Sequence, residues 1–368
     1  MITRRQFIHS ATAMVGGPVV LGACSSGTSD ESYKAAVRGT WRHVESQTGD
    51  SSLIQRELVR YATLAPSSHN TQCWKFHKEK HAISILPDLS RRCPAVDPDD
   101  HHLFVSLGCA AENLIQAALA NGLKGKTCFD DAAAGEIRIA LEPTRAIVSP
   151  LFQAIPVRQC TRAEFDGKPL SNGELRLLEH AGTGDGVRVL LFTGKDAMEK
   201  VLEYVVQGNT AQINNPAFVK ELKAWIRFNG DEAVRTGDGL FSGLSGNPSL
   251  PRWLGSLLFG LLFTPKSEND KYAKQVRSSA GIAIFVSEAN NKAHWLEAGR
   301  CYERFALQSA VLGIRNAMLN QPVEVSALRP QFAAFLGVES QRPDLVVRFG
   351  RGPSMPQSLR RPVQAVLA

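Results

Sequence analysis

The side chains best suited to chemistry form one short polar stretch between two apolar segments. The stretch consists of Ser67, Ser68, His69, Asn70, Thr71 and Gln72. Pro66 ends the helical pattern before it, and Trp74 and Phe76 follow it. The amides of Asn70 and Gln72 offer donors and acceptors together, which suits the polar edge of a heterocyclic ring. The alternative is a polar loop that ends in a core tryptophan.

A pair of arginines marks a second candidate site. Arg158 and Arg162 lie four residues apart near a predicted helix start, with Cys160 between them. This spacing places both guanidinium groups on one helix face. A guanidinium pairs with phosphate oxygens in a bidentate manner, so a phosphate is the natural ligand. Two arginines on a solvated surface are the alternative.

A third basic group lies near the C-terminus. Arg348 belongs to the last predicted strand, and Gly350 follows that strand. Arg360 and Arg361 come shortly afterwards, directly before Pro362. A basic tail without a ligand would give the same pattern.

The polar stretch resembles the Pro-Ser-Ser-x-Asn-x-Gln-Pro-Trp signature of the nitroreductase superfamily of flavin enzymes, with Cys73 in place of the second proline. Arg158 and Arg162 match the arginines of the family's Arg-Arg-Ser-x-Arg phosphate segment, while Gln159 and Cys160 depart from it. The order of motifs is most similar to the Acg-type subgroup, in which two nitroreductase-like halves share one chain. Asn320 and Gln321, in the stretch Asn-Gln-Pro-Val-Glu, add to this resemblance.

The resemblance implies an α+β, three-layer, FMN-dependent fold whose halves form a pseudo-dimer within a monomer. One FMN would lie between the halves, since the first half carries the Pro-Ser-Ser segment and the second carries the arginines. FMN is favoured over FAD because no adenine-binding signature is visible. The implied cofactor-binding residues are Pro66, Ser67, Ser68, Asn70, Gln72, Arg158, Cys160, Arg162, Asn320, Gln321, Arg348, Arg360 and Arg361.

The flavin would carry the chemistry, so we predict no catalytic side chain. Ser67 or Ser68 as a nucleophile is disfavoured, because His69 is the only support beside them. The resemblance implies an oxidoreductase that takes electrons from NAD(P)H or another donor and reduces a small acceptor. A protein that stores FMN without turnover is the alternative, and so is a lipoprotein that keeps the fold and has lost the cofactor.

Hydrophobic periodicity predicts an alternation of helices and short strands, hence the α+β class. The predicted helices cover 52–64, 103–118, 196–206, 217–227 and 295–312. The predicted strands cover 82–86, 137–141, 187–192, 281–286 and 345–349. We expect a first half over 35–150 and a second half over 151–368. Residues 253–263 are apolar all round and are interpreted as a lid, a membrane-facing patch or a core helix.

The N-terminus resembles an export signal. Arg4 and Arg5 precede an apolar stretch, as in twin-arginine signals, and 21–24 (Leu-Gly-Ala-Cys) resembles a lipobox. We therefore expect a signal peptide over 1–23, lipidation and membrane attachment at Cys24, a flexible tether over 24–34, and a periplasmic or membrane-anchored protein. A plain signal cleaved nearby, with Cys24 incidental, is the alternative.

Composition excludes several classes. The net charge of +7 comes from 42 basic and 35 acidic residues without a basic block, so nucleic-acid binding is not expected. The seven cysteines include no CxxC pair, and no metal site is predicted. His101 and His102 are adjacent, which on a helix turns their side chains apart, so we expect a solvated helix start there.

Overall fold

The computed structural model describes residues 25–44, 50–132 and 135–368. The predicted signal peptide over 1–23 and the predicted lipidation site Cys24 lie outside these residues. The helices are α1 (Ser25–Thr40), α2 (Ser51–Thr63), α3 (His101–Ala120), α4 (Pro150–Ala154), α5 (Asn172–Ala181), α6 (Lys195–Ile213), α7 (Pro216–Trp225), α8 (Gly230–Thr236), α9 (Arg252–Leu262), α10 (Pro265–Arg277), α11 (Lys292–Val311), α12 (Gln321–Glu324) and α13 (Arg329–Phe335).

The first sheet lies wholly in the first part of the chain. Its four antiparallel strands have the spatial order β1-β2-β4-β3. They are β1 (Trp74–Glu79), β2 (Ala82–Pro87), β3 (Leu123–Asp130) and β4 (Glu136–Pro143). Ile83 pairs with Ile139 and Ile85 with Ile137, and all four side chains are buried. Period-2 alternation thus gives the sheet one apolar face, which belongs to the same core as α3.

The second sheet also has four antiparallel strands, in the order β5-β8-β10-β9. They are β5 (Val187–Phe192), β8 (Gly281–Ser287), β9 (Arg315–Met318) and β10 (Arg342–Gly350). Strand β8 is buried on both faces, because Ala283 and Phe285 enter the large core with α11 while Ile282 and Ile284 enter a second core with α6. Helices therefore cover both sides of this sheet, which explains its unbroken apolar run.

Helices α3 and α11 join the two sheets through a very close crossing. A Cβ atom built on Gly108 of α3 would lie 2.0 Å from the carbonyl oxygen of Leu296, and one built on Gly299 of α11 would lie 2.0 Å from that of Val105. Only glycine lets the two backbones approach so far. By length and composition α3 could also span a membrane, but 78% of its apolar window is buried, as in a core helix of a soluble protein.

The structure confirms the α+β class and the predicted elements near their predicted bounds. Ser171 and Glu174 form a capping box, and α5 begins there. Of the strands in the two sheets, β1, β3 and β9 were not predicted. Lys78 interrupts the apolar face of β1, Gly125 and Thr127 weaken that of β3, and β9 has only four residues. The sheets lie on either side of position 150, and the predicted domain boundaries stay a prediction.

The structure corrects the predicted tether over 24–34, because α1 begins at Ser25. The ring of Tyr33 is buried 4.6 Å from the ring of Phe241, and its hydroxyl donates to the carbonyl of Gln357. At the other end of α1, the indole of Trp41 donates to the carbonyl of Ser358 at 2.8 Å. These contacts fix the helix to residues far along the chain.

Candidate functional site

The polar stretch 66–72 forms a strained loop between α2 and β1. His69, Asn70 and Gln72 have φ angles of 49°, 53° and 54°, in the left-handed region that non-glycine residues rarely adopt. The Ser67 hydroxyl accepts the backbone N–H of Gln72 at 2.9 Å and stabilises the turn. Three such angles in four residues are typical of a functional loop that its surroundings hold in place.

The amides of Asn70 and Gln72 bind the protein's own backbone. Asn70 Nδ2 donates to the carbonyls of Gly239 and Leu359 at 3.1 and 3.2 Å. Gln72 Nε2 donates to the carbonyl of Gly237 at 2.8 Å, and its Oε1 accepts the N–H of Arg361 at 2.8 Å. Both side chains are buried, so they fix neighbouring segments rather than present a free polar edge.

One of those neighbours is residues 226–246, which we call the covering segment. It contains strands β6 (Ile226–Arg227) and β7 (Leu240–Phe241) and helix α8. Asp238 in its centre forms ion pairs with Arg227 of the segment and with Arg91 of the first half. These charge pairs and the two amides hold the covering segment over the polar loop.

Arg158 reaches the polar loop from the second half, but its guanidinium is buried in an ion pair. Its Nε lies 3.2 Å from Oε1 of Glu303 on α11, and both side chains are at most 3% exposed. Its Nη2 donates to the carbonyl of Leu64 at 3.2 Å. Arg158, which was predicted to bind a phosphate, is therefore paired with Glu303 in this structure.

Arg360 also reaches the first half, where it binds the end of α2. Its guanidinium donates to the carbonyls of Thr63, Leu64 and Ala65 at 2.7, 3.1 and 3.0 Å and to Asn70 Oδ1 at 3.1 Å. A cation at a helix C-terminus satisfies carbonyls that lack helical partners. Burial, with Arg158 nearby, lowers the pKa of Arg360 to about 9.

Three other predicted residues lie at the edges of this region. Arg348 is buried on β10, and its Nη2 donates to the carbonyls of Thr161 and Ala163 at 2.9 Å each, which binds it to the chain around Arg162. The Arg361 guanidinium donates to the carbonyl of Ala365 at 2.7 Å. Cys160 is exposed.

Arg162 is the predicted arginine with the fewest partners. Within the part of the chain that the structure describes, its guanidinium makes one long hydrogen bond, to the Ser245 hydroxyl at 3.5 Å. The backbone carbonyl of Arg162 accepts Gln275 Nε2 of α10 at 2.6 Å, which places Arg162 beside that helix. Burial first and the charge of Arg162 second lower the pKa of His69 to about 4, and burial raises the pKa of Tyr272, on α10, to about 12. A half-buried guanidinium with free donors beside the polar loop is suited to an anion.

Gln321 and Asn320 complete this side of the site. The Gln321 side chain is 6% exposed, its amide lies near the Tyr272 hydroxyl, and its Oε1 is without a hydrogen-bond partner among the described residues. Asn320 Oδ1 accepts the N–H of Val346 at 2.9 Å, and its Nδ2 lies 3.3 Å from His102 Nε2. Pro66, Ser67 and Ser68 are half-buried on the facing loop. Among the predicted site residues, Arg162, Gln321 and Ser68 keep unused polar atoms, and buried guanidinium nitrogens of Arg158, Arg348 and Arg361 also lack hydrogen-bond partners in the described part of the chain.

The expected solvated helix start at His101 and His102 is wrong. The two side chains are 1% and 5% exposed, and their ring centroids are 4.7 Å apart. His101 Nε2 lies 2.8 Å from Asp344 Oδ1, and Ser287 donates to the other oxygen of Asp344. Contacts with distant residues such as Asp344 bury this pair, which sequence spacing alone does not reveal.

Helix α9 is not a core helix. Among the described residues, no contact between α9 and the polar loop is seen. Trp253, Leu257, Leu261 and Leu262 are 71%, 55%, 65% and 65% exposed. Gly255 is its buried residue and lies against the ring of Phe228. Of the three interpretations of residues 253–263, the core helix is wrong.

Several important residues were missed by sequence reasoning. Glu303 and Asn113 lie at the crossing of α3 and α11, and their charged or polar atoms are fully buried beside Arg158. Asp238 fixes the covering segment. A charged or polar residue on the apolar face of a long predicted helix, as Glu303 is, would have been the signal.

Comparison with known proteins finds distant relatives over most of this chain. No family model matches the chain. The "Putative NAD(P)H nitroreductase Rv3131" of Mycobacterium tuberculosis is 23% identical over 328 residues, which cover 85% of this chain and 90% of that protein. The "Putative NAD(P)H nitroreductase acg" of the same species is 22% identical over 327 residues, covering 85% and 95%. These relatives support the nitroreductase superfamily.

Among solved structures, a Bacteroides fragilis nitroreductase with bound FMN covers 58% of this chain and 95% of its own, at 13% identity and a TM-score of 0.36. The nitroreductase NfnB of Mycobacterium smegmatis, in complex with NADPH, covers 59% and 91%, at 16% identity and a TM-score of 0.34. Both TM-scores are below 0.5, so the description of the fold rests on the two sheets of this chain and not on these structures.

Proposed function

We propose that this nitroreductase-like chain is an FMN-dependent oxidoreductase that takes electrons from NAD(P)H or another donor and passes them to a small acceptor. The observation that carries the proposal is that the polar loop 66–72, from the first half, binds the second half through Asn70 and Gln72, with Arg360 donating to Asn70. The names of the relatives and the FMN in the solved nitroreductases support it.

The residues with unused polar atoms fit FMN. Arg162 would hold the phosphate, and Gln321 and Ser68 would bind polar ring atoms, because a buried amide oxygen without a partner needs a donor. When bound, the flavin supplies electron or hydride transfer. His69 stays neutral at neutral pH, since its pKa is lowered to about 4, so Arg162 provides the positive charge beside the loop.

Arg162→Ala should weaken FMN binding by roughly 10- to 100-fold, because a charge-assisted contact contributes about 1.5–3 kcal/mol. Its one long hydrogen bond predicts little effect on folding. Flavin absorbance of the purified protein and titration of the apoprotein with FMN measure the loss. Arg277→Ala, which removes an exposed arginine paired with Glu199, is the matched control and should bind FMN normally. Equal affinity of the Arg162→Ala variant and this control would contradict the phosphate assignment.

A second candidate is an FMN-storage protein without turnover, which the covering segment favours. Its carbonyls at Gly237 and Gly239 occupy the amides of Gln72 and Asn70, and Asp238 locks it to Arg91. Dithionite should reduce the flavin in either case, whereas NAD(P)H should reduce it only in the enzyme. Reduction by NAD(P)H that stays slow in wild type but becomes fast in Asp238→Asn would favour storage under a closed segment.

We also propose export through the twin-arginine route and anchoring at Cys24. The sequence motifs carry this proposal, and the placement of α9 supports it. Helix α1, which begins next to Cys24, packs on α8, and α8 also binds the start of α9 through Glu232 and Arg252. The exposed apolar side chains of α9 therefore belong to the same part of the molecule as the proposed anchor, and tryptophan and leucine side chains suit a membrane interface.

Two variants test the location. Replacing Arg4 and Arg5 by lysine should leave the protein in the cytoplasm, because the motif requires the guanidinium pair rather than charge. Cys24→Ser should release exported protein from membrane fractions. Export of the lysine variant at the normal level would indicate the general secretory route, and a Cys24→Ser protein that stays in the membrane would exclude the lipid anchor.

A further inference from the structure

Three residues with different metal-binding chemistry meet beside the polar loop. His69 comes from the loop itself, Cys93 from the chain that follows β2, and Glu221 from α7 of the second half. One ligand atom of each lies within 4.8 Å of one of each of the others. Cys93 is 4% exposed, and His69 and Glu221 are half-buried, so the cluster is reachable but shielded from bulk water.

The measured geometry suits a tetrahedral ion. His69 Nδ1 lies 3.5 Å from Cys93 Sγ. With Zn–N and Zn–S bonds of about 2.0 and 2.3 Å, tetrahedral angles place the two ligand atoms about 3.5 Å apart. A thiol that accepts a hydrogen bond from an imidazole would have a similar distance, and this is the alternative that the experiment must exclude.

The surrounding structure orients the ligands in advance. Both carboxylate oxygens of Glu221 accept backbone N–H groups, from Ala95 at 2.9 Å and from Val96 at 3.2 Å, and each keeps a lone pair. Such hydrogen bonds around a metal site fix its ligands. His69 has a φ of 49°, so the loop spends conformational energy to aim its imidazole. Cys93 lies in an apolar cluster with Val96 and Phe218 that excludes competing water.

We propose that His69, Cys93 and Glu221 bind one divalent transition-metal ion of the zinc class, with water in the fourth position. A thiolate, an imidazole and a carboxylate are a donor set that such ions accept. On binding, the Cys93 thiol releases its proton to solvent and coordinates as the thiolate. The ion would tie α7 to the polar loop and so reinforce the closed position of the chain that leads into the covering segment. This proposal does not depend on the flavin.

The second histidine cluster does not compete for this role. Asn320 Oδ1 accepts the N–H of Val346, so its Nδ2 faces His102 Nε2 as a donor. His102 therefore carries its proton on Nδ1, which lies 3.8 Å from Asp97 Oδ1. Metal binding at Nδ1 would move this proton to Nε2, where it would face the Asn320 amide donor.

The test uses the purified protein after dialysis against a chelator. Titration with Co²⁺ should give one equivalent of binding and a thiolate-to-cobalt charge-transfer band in the near ultraviolet, and Zn²⁺ should displace it. Cys93→Ser should lose the band, and Glu221→Gln should bind at least about 10-fold more weakly, the scale on which metal sites respond to altered ligand surroundings. Cys128→Ser removes an exposed thiol on β3 and should behave as wild type.

His69→Asn keeps the test decisive if Cys93→Ser folds poorly, because asparagine tolerates the left-handed backbone. Its affinity for Co²⁺ should fall at least about 10-fold, with circular dichroism unchanged. A wild-type protein without a charge-transfer band, or a band that survives Cys93→Ser and moves with Cys128→Ser, would overturn the proposal and leave a hydrogen bond between His69 and Cys93.

Discussion

Gly108→Ala is expected to lower the free energy of unfolding by about 3 kcal/mol, at the upper end of the usual effect of overpacking. The new methyl carbon would lie 2.0 Å from the carbonyl oxygen of Leu296 and 2.9 Å from its carbonyl carbon. These are backbone atoms of α11, so no side-chain rotation can relieve the clash. The two helices must move apart, and the contacts between the sheets that depend on them weaken together. Gly299→Ala should have a similar effect, because its methyl group meets the carbonyl of Val105.

The matched control is Gly260→Ala. Gly260 is also in a helix, but a Cβ atom there meets nothing within 4 Å. The Gly260→Ala substitution should stabilise α9 by up to about 1 kcal/mol, since alanine is a better helix former than glycine. Urea unfolding of the three variants, followed by circular dichroism, measures the effects. A Gly108→Ala protein as stable as wild type would mean that the crossing of α3 and α11 is looser than the structure shows.

The sequence predicts the helices and strands of the fold more fully than it predicts which of them pack against each other. Period-2 and helical patterns locate β2, β4, β5, β8, β10 and the long helices, because those residues each bury a continuous apolar face. The patterns could not predict that Gly108 meets the backbone of Leu296 and that Gly299 meets the backbone of Val105. These contacts join positions 188 and 194 residues apart, and each glycine alone is compatible with a helix interior or a surface.

The candidate site shows the same limit. The sequence identifies the loop 66–72 and the arginines by their residue types, and the structure brings Arg158, Arg162 and Arg360 close to that loop. Which of these groups remain free depends on tertiary partners. Arg158 forms an ion pair with Glu303, and Arg360 donates to carbonyls at the end of α2, whereas Arg162 makes one long hydrogen bond. These differences follow from the folded chain and not from the residue types.

Arg158→Met is expected to destabilise the protein by about 1–1.5 kcal/mol more at pH 8 than at pH 5, because only the wild-type protein can ionise Glu303 beside Arg158, and one pH unit above the pKa is worth about 1.4 kcal/mol. Burial raises the pKa of Glu303 to about 7, although Arg158 opposes the shift. The unfolded carboxyl group titrates near 4.5, so between these values the native state holds a proton that the unfolded state has lost. Stability from this group therefore falls as the pH rises through that window.

Without Arg158 the pKa of Glu303 rises further, and the fall in the free energy of unfolding extends to higher pH. The destabilisation of Arg158→Met relative to wild type should thus be small at pH 5, where Glu303 is neutral in both proteins, and largest above pH 7. Urea unfolding at pH 5 and pH 8 measures the difference, in which titrations common to both proteins cancel. Equal destabilisation at the two pH values would show that lost packing, and not the charge of Glu303, is responsible.

The double variant Arg158→Met/Glu303→Leu separates the ion pair from the predicted phosphate contact. Removing both charges should recover most of the stability, since an apolar pair of similar volume often replaces a buried ion pair without loss. If Arg158 acts only through Glu303, the double variant should also bind FMN as tightly as wild type. If Arg158 binds the phosphate, the double variant should be stable and still bind FMN roughly 10- to 100-fold more weakly, as expected for a lost charge-assisted contact. The structure predicts the first result, because the guanidinium is 3% exposed and faces Glu303 and the carbonyl of Leu64.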